Sequence, residues 1–177
     1  MATSRTLGAS PFVAYTVNSG IIPVELGDRE TFVYVNEDGV TRCMDAFFGI
    51  AGADLNKGDV CYYDLSAGTS VVDTKFTKTN GATIMPTQFL KVGACVALAS
   101  VLDGERGWFA VKGTIPANVS ANVAKGASLA LGATAGHFDD ADTDYEARGC
   151  ISLEATTSAG LIEIQSFNDL YIQRLVG

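Results

Sequence analysis

The residues best suited to chemistry lie in one acidic run, residues 139–146, with the only histidine, His137, just before it. The aspartates at positions 140, 142 and 144 have the one-three-five spacing of a calcium-binding loop. The rest of that loop does not fit, because position six is Tyr145 instead of a glycine and position twelve is Ile151 instead of a bidentate glutamate. The run is therefore interpreted as a solvated acidic loop, and a cation site of another kind stays open.

His137 could act as a general base held by Asp139 or Asp140, but no nucleophile accompanies it. The sequence contains no nucleophile elbow, zinc-protease helix motif, phosphate-binding loop or dinucleotide-binding glycine pattern. We therefore predict that the protein is not an enzyme and needs no cofactor. His137 is interpreted as a residue at a hairpin tip.

The four cysteines, at positions 43, 61, 95 and 150, form no CxxC pair and lie mostly in apolar stretches. With a single histidine, a zinc site would need ligands gathered from four distant strands. Buried core thiols without a metal are the prediction.

Composition limits the classes of partner. Twelve basic and twenty acidic residues give a net charge of −8, the wrong sign for binding nucleic acid or an anionic membrane. The apolar stretches fall short of the ~18 residues of a membrane span, and the start of the chain has no signal-peptide pattern. We expect neither a membrane segment nor secretion, and 177 residues suit one domain with its own core.

The strand that opens with Trp108 is predicted to organise the fold. Its residues alternate, with Phe109, Val111 and Ile115 expected on one side. Because Pro116 has no N–H for a ladder, the strand is predicted to stop there and pairing to resume near Leu129.

Two hairpins frame this strand. Residues 31–35 and 40–43 flank Asp38-Gly39, which supplies the positive φ of a tight loop, and residues 89–102 lead through a turn at 103–107 into the Trp108 strand. Residues 45–55 fit a helical turn or a bulged strand, and a helix over 94–102 also stays open. Residues 12–17 and 21–24 are predicted to be edge strands.

Three basic-glycine pairs recur at similar spacing, at Gly58, Gly126 and Gly149. Shared turn chemistry in a meander is favoured over an ancient duplication. The fold class predicted is all-β, a small β-barrel or jelly-roll-like sandwich of short antiparallel strands.

The two ends of the chain are the predicted contact regions. Residues 1–12 read as an extended N-terminal arm and 13–177 as a single β domain with a C-terminal docking tail. The apolar tail residues dock either on their own domain or on another subunit. The predicted interface residues are Phe12, Leu170, Tyr171, Ile172 and Leu175.

Four aromatic residues allow a second interpretation. Tyr34, Tyr62, Tyr63 and Trp108 could line a sugar-binding face, although aromatic residues on strands more often pack in a core or in cross-strand pairs.

Several segments taken in order resemble the capsid cement, or head decoration, proteins of tailed phages. They are residues 24–35, Lys57-Gly-Asp-Val60, GWFAVKG at 107–113, LALGATAGHFDDAD at 129–142 and Ser158-Ala-Gly-Leu161. The resemblance implies a small β module without catalytic residues that binds the outside of an icosahedral shell. The arm and the acidic insert at 139–147 depart from the pattern.

The expected function is therefore that of a structural virion protein, a dimer or trimer assembled in the host cytoplasm. It would bind the major capsid protein on the outer capsid surface through its arm and through a strand edge or the tail. The alternative is a carbohydrate- or receptor-binding β module on the virion surface.

Overall fold

The computed structural model describes residues 11–14, 24–63, 75–78, 91–140 and 145–174. Those residues form strands and turns and contain no helix, so the chain is all-β, as predicted. The strands are β1 (Arg29–Val35), β2 (Thr41–Ala51), β3 (Val60–Tyr63), β4 (Lys75–Thr77), β5 (Lys91–Ala97), β6 (Arg106–Val119), β7 (Ala130–Leu131), β8 (Phe138–Asp139), β9 (Tyr145–Ala147), β10 (Cys150–Ser152), β11 (Gly160–Ser166) and β12 (Tyr171–Arg174).

The strands form one mixed sheet around β6, the longest of them at 14 residues. The order is β10-β11-β6-β2-β4-β3-β5-β12-β9, and β6 also pairs with β5 and β8. The strand order brings sequence-distant segments together, as in sandwich-like folds. β1 lies outside this order and pairs with β2.

A bulge in β6 changes which side chains face the core. Between Lys112 and Ala110 the chain advances two residues while β2 advances one, so Val111 is the extra residue. Gly113 follows with φ +97°, which a residue with a Cβ rarely adopts. The alternation predicted for Ile115 is therefore wrong, because beyond the bulge Ile115 joins the cluster of Trp108 and not that of Phe109.

Pro116 does not end β6, contrary to prediction. The strand continues to Val119, and Pro116 lies opposite Glu163 of β11. The amide of Asn118 donates to the carbonyl of Gly58, away from β11, at 2.8 Å. Since residues two apart point the same way, the nitrogen of Pro116 also faces away from β11 and no bond of that ladder is lost.

Two apolar clusters pack on opposite faces of the sheet. The larger one surrounds Trp108, which is fully buried between Phe32 and Phe48 at ring distances of 4.8 and 5.3 Å. The smaller one contains Phe76 stacked on Phe109 at 4.4 Å. Successive residues of β6 enter different clusters, so its centre is buried on both faces.

The predicted hairpins are confirmed. β1 and β2 pair in register from Arg29↔Phe47 to Val35↔Thr41, with Gly39 at φ +78° in the loop. β5 leads through Gly104, at φ +80°, into β6. The strand alternative is correct for residues 45–51, and the helix alternative for 94–102 is wrong.

The predicted turn glycines at positions 58, 126 and 149 all have positive φ, as shared turn chemistry requires. Residues 12–14 form no strand, and the rest of the two predicted edge strands lies almost entirely outside the described residues. The sequence also predicts turns near residues 66–68 and 80–81, which lie outside the described residues too. No helix in the described ranges is long and apolar enough to cross a membrane.

Candidate interaction surface

The β1–β2 hairpin presents an apolar outward face. Val33 and Val35 are 54% and 60% exposed. Cys43 lies directly opposite Val33 and is exposed as well. Phe32, which directly precedes Val33 in β1, is buried, so this face follows from strand alternation. We call Val33, Val35 and Cys43 the hairpin face.

A groove of about 460 Å³ adjoins the hairpin face, and Val35 belongs to both. Within it the rings of Phe12 and Tyr34 meet edge to face, 6.0 Å apart. The ammonium group of Lys57 lies 5.4 Å from the centre of the Phe12 ring, a cation–π contact. Four carboxylates also line the groove, those of Glu37, Asp38, Glu154 and Glu163.

Glu163, at the inner side of this groove, is held in place by hydrogen bonds. Its carboxylate accepts hydrogen bonds from Arg42 at 3.0 Å, Asn36 at 3.1 Å and Tyr34 at 3.2 Å. Burial, followed by the negative charge of Glu163, raises the pKa of Tyr34 well above its usual value. The phenol therefore stays protonated and donates, and the network fixes the hairpin to β11.

Asp59 forms a second buried network, where the chain enters β3. It is 2% exposed, and its carboxylate accepts from the Asn56 amide at 2.9 Å and from Asn118 at 3.0 Å. Lys78 completes the site with an ion pair at 2.7 Å. Because all these partners are structural, we assign the carboxylate to holding β3, β4 and β6 together.

Asp59→Ala is expected to lower the free energy of unfolding by about 2–4 kcal/mol, because two donors and a partly buried ammonium lose their acceptor. Urea unfolding followed by Trp108 fluorescence measures this change. Asp38→Ala, at an exposed carboxylate, is the matched control and should change stability by less than ~0.5 kcal/mol. Equal effects of the two substitutions would contradict the assignment.

The predicted interface residues separate into different environments. Leu170 and Ile172 are 2% and 0% exposed in the larger cluster, so they dock on their own domain. Tyr171 is half-buried on β12, and Leu175 lies outside the described residues. Phe12, 38% exposed, is the one that reaches the groove.

His137 follows the β7–β8 turn and is half-buried. Its Nδ1 atom is buried without a hydrogen-bond partner among the described residues, so neither Asp139 nor Asp140 holds it there. Asp140 instead accepts from the amide of Ala124 at 2.7 Å. The described residues contain no group of three or more acidic, histidine or cysteine side chains placed for a metal, and 141–144 lie outside them.

All four cysteines are free thiols. Cys61, Cys95 and Cys150 are buried, in agreement with the prediction of core thiols, and burial raises the pKa of Cys150 to about 12. Cys43 is the exception, because it lies on the exposed side of the hairpin. It is therefore a selective attachment point for probes at the hairpin face.

Three of the four aromatic candidates for a sugar-binding face, Tyr34, Tyr62 and Trp108, do not form an exposed platform. Trp108 is 0% exposed, and Tyr34 and Tyr62 are partly buried against the larger cluster. Core packing, the other interpretation of these residues, describes them better.

Sequence reasoning missed the hairpin face and both buried carboxylates. The alternation in residues 31–35 contained the signal for the exposed valines, but it could not tell which set faces the core. Asp59 and Glu163 gave no sequence signal, because their partners are separated from them by up to 129 residues. No family model and no curated protein matches this chain.

Proposed function

We propose that the chain is a structural virion protein that binds the outer surface of an icosahedral phage capsid and stabilises contacts between major capsid proteins. The observation that carries the proposal is the hairpin face, where two valines lie exposed on a hairpin that is paired in regular register. Exposed apolar side chains on an ordered strand favour a protein partner.

The charge distribution fits a protein that is bound to the capsid and keeps a charged, soluble outer surface. The buried carboxylates of Asp59 and Glu163 stabilise the fold. The other acidic residues, in a chain of net charge −8, keep the surface soluble. A partner present in many copies also compensates for a modest interface, because each bridging contact adds avidity. Dimer or trimer formation belongs to the same proposal.

The test is cosedimentation of the purified chain with shells assembled from the major capsid protein of the same genome. The native chain should pellet with shells. Replacing Val33 and Val35 together by serine should weaken binding at least about tenfold, because their apolar area no longer leaves water.

Leu102→Ser is the matched control, since Leu102 is 60% exposed on the turn between β5 and β6, outside the hairpin face. This variant should bind shells as the native chain does. A native chain that stays in the supernatant at every concentration would overturn the proposed function.

A further inference from the structure

One edge of β1 is open among the described residues. Among the described strands β1 pairs only with β2, and the bonded pairs at its ends are Asp28 with Phe48 and Asn36 with Val40. Bonded pairs alternate along an antiparallel ladder, and this register has no shift. The even-numbered residues of β1 therefore bond to β2. The backbone groups of the odd-numbered residues point away from it, at Arg29, Thr31, Val33 and Val35.

The same four residues carry the exposed side chains of β1. Their backbone N–H and C=O groups have no partner in the part of the chain that the structure describes. Protected edges usually carry charges, prolines or bulges, but the middle of this one holds Thr31, Val33 and Val35 in regular register. It is a template for one more strand.

Both ends of this edge are acidic. At the loop end lie the exposed Glu37 and Asp38. At the other end the Arg29 guanidinium pairs with Asp169 at 2.6 Å and with Asp45 at 3.3 Å, and Asp28, the preceding residue in the chain, adds a third carboxylate. A second copy paired antiparallel would set one acidic end against the other, so self-pairing is disfavoured.

We propose that the β1 edge accepts an extended segment of a partner protein as an added strand. The segment carries β-branched or apolar residues at alternate positions and basic residues at both ends. The added strand takes up the outward backbone groups of β1, and its side chains cover Val33 and Val35. Its identification with a segment of the major capsid protein rests on the proposed function.

The probe is a capped heptapeptide, Lys-Thr-Val-Thr-Val-Thr-Lys, added to the full chain while amide hydrogen exchange is followed by NMR. Exchange at Thr31, Val33 and Val35 should be fast in the free protein and should slow at least about tenfold with the peptide. Exchange at Phe32 and Tyr34, which already bond to β2, should not change.

Two altered peptides separate strand addition from mere adhesion. N-methylation of the alternate amides that bond to β1 should abolish the slowing, because it removes the donors. Glutamate in place of both lysines should weaken binding about tenfold or more at low salt, and less at high salt. Slowing of amide exchange that survives N-methylation of the peptide would overturn the inference. Slow exchange at Val33 in the free protein, together with light scattering that shows a dimer formed through β1, would overturn it as well.

Shell binding then separates this inference from the proposed function. Val33→Pro removes one outward N–H at a position where an edge strand tolerates proline, and Val33→Ser keeps that N–H. With folding checked by circular dichroism, the proline variant should bind shells about tenfold more weakly than the serine variant. Equal binding of the two variants overturns strand addition and leaves capsid attachment intact. Peptide binding without shell binding would support strand addition at the β1 edge and would exclude only the capsid as the partner.

Discussion

Gly113→Ala is expected to lower the free energy of unfolding by about 3–5 kcal/mol, the sum of backbone strain and overpacking. Gly113 adopts φ +97°, and an added Cβ would lie 2.3 Å from the Cys43 carbonyl oxygen and 2.8 Å from the Met44 Cα. Both atoms belong to the backbone of β2, so this clash can be relieved only if β2 and β6 move apart. The same pair of strands supports the hairpin.

Gly39→Ala is the matched control for this substitution. Gly39 has a similar positive φ, +78°, but an added Cβ there meets nothing within 4 Å. It should cost only about 1 kcal/mol, the conformational share. Urea unfolding followed by Trp108 fluorescence measures both variants, and equal losses would contradict the close approach of the bulge to β2.

Trp108→Ala is expected to lower the free energy of unfolding by about 3–5 kcal/mol, because it empties the centre of the larger cluster. The ring is fully buried and contacts Phe32 of β1 and Phe48 of β2. Since Phe32 alternates with the exposed valines, loss of this contact should also loosen the hairpin face. Thermal and urea unfolding followed by circular dichroism measure the loss.

Trp108→Phe is the informative comparison. The indole Nε1 is buried without a hydrogen-bond partner in the described ranges, so phenylalanine gives up apolar contacts but no hydrogen bond. We expect a loss of about 1–2 kcal/mol, well below that of alanine. A phenylalanine variant as unstable as the alanine variant would indicate a polar role for the indole that this packing does not contain.

The all-β class and the principal hairpins were predictable because they depend on local signals. Alternation in residues 31–35 and the glycines at positions 39 and 104 define strand and turn without knowledge of the partner strand. The exchange of faces after Val111 was not predictable, because a bulge is defined by two strands and its sequence trace is only Gly113.

The candidate surface was less accessible from sequence. Phe12 was predicted as an interface residue, but the groove that it lines is built from β1, β6 and β11, which meet only in the folded sheet. Leu170 and Ile172 were apolar at a chain end, which fits self-docking and partner binding equally well until burial is known. The open edge of β1 depends on strand order, which periodicity does not contain.

Electron cryomicroscopy of shells with and without the saturating native chain tests the central claim most directly. We expect a difference density on the outer capsid surface that fits this β domain, with a capsid segment running alongside β1 at the strand spacing of about 4.8 Å. Shells that show no added density, or added density whose β1 edge faces solvent, would contradict it.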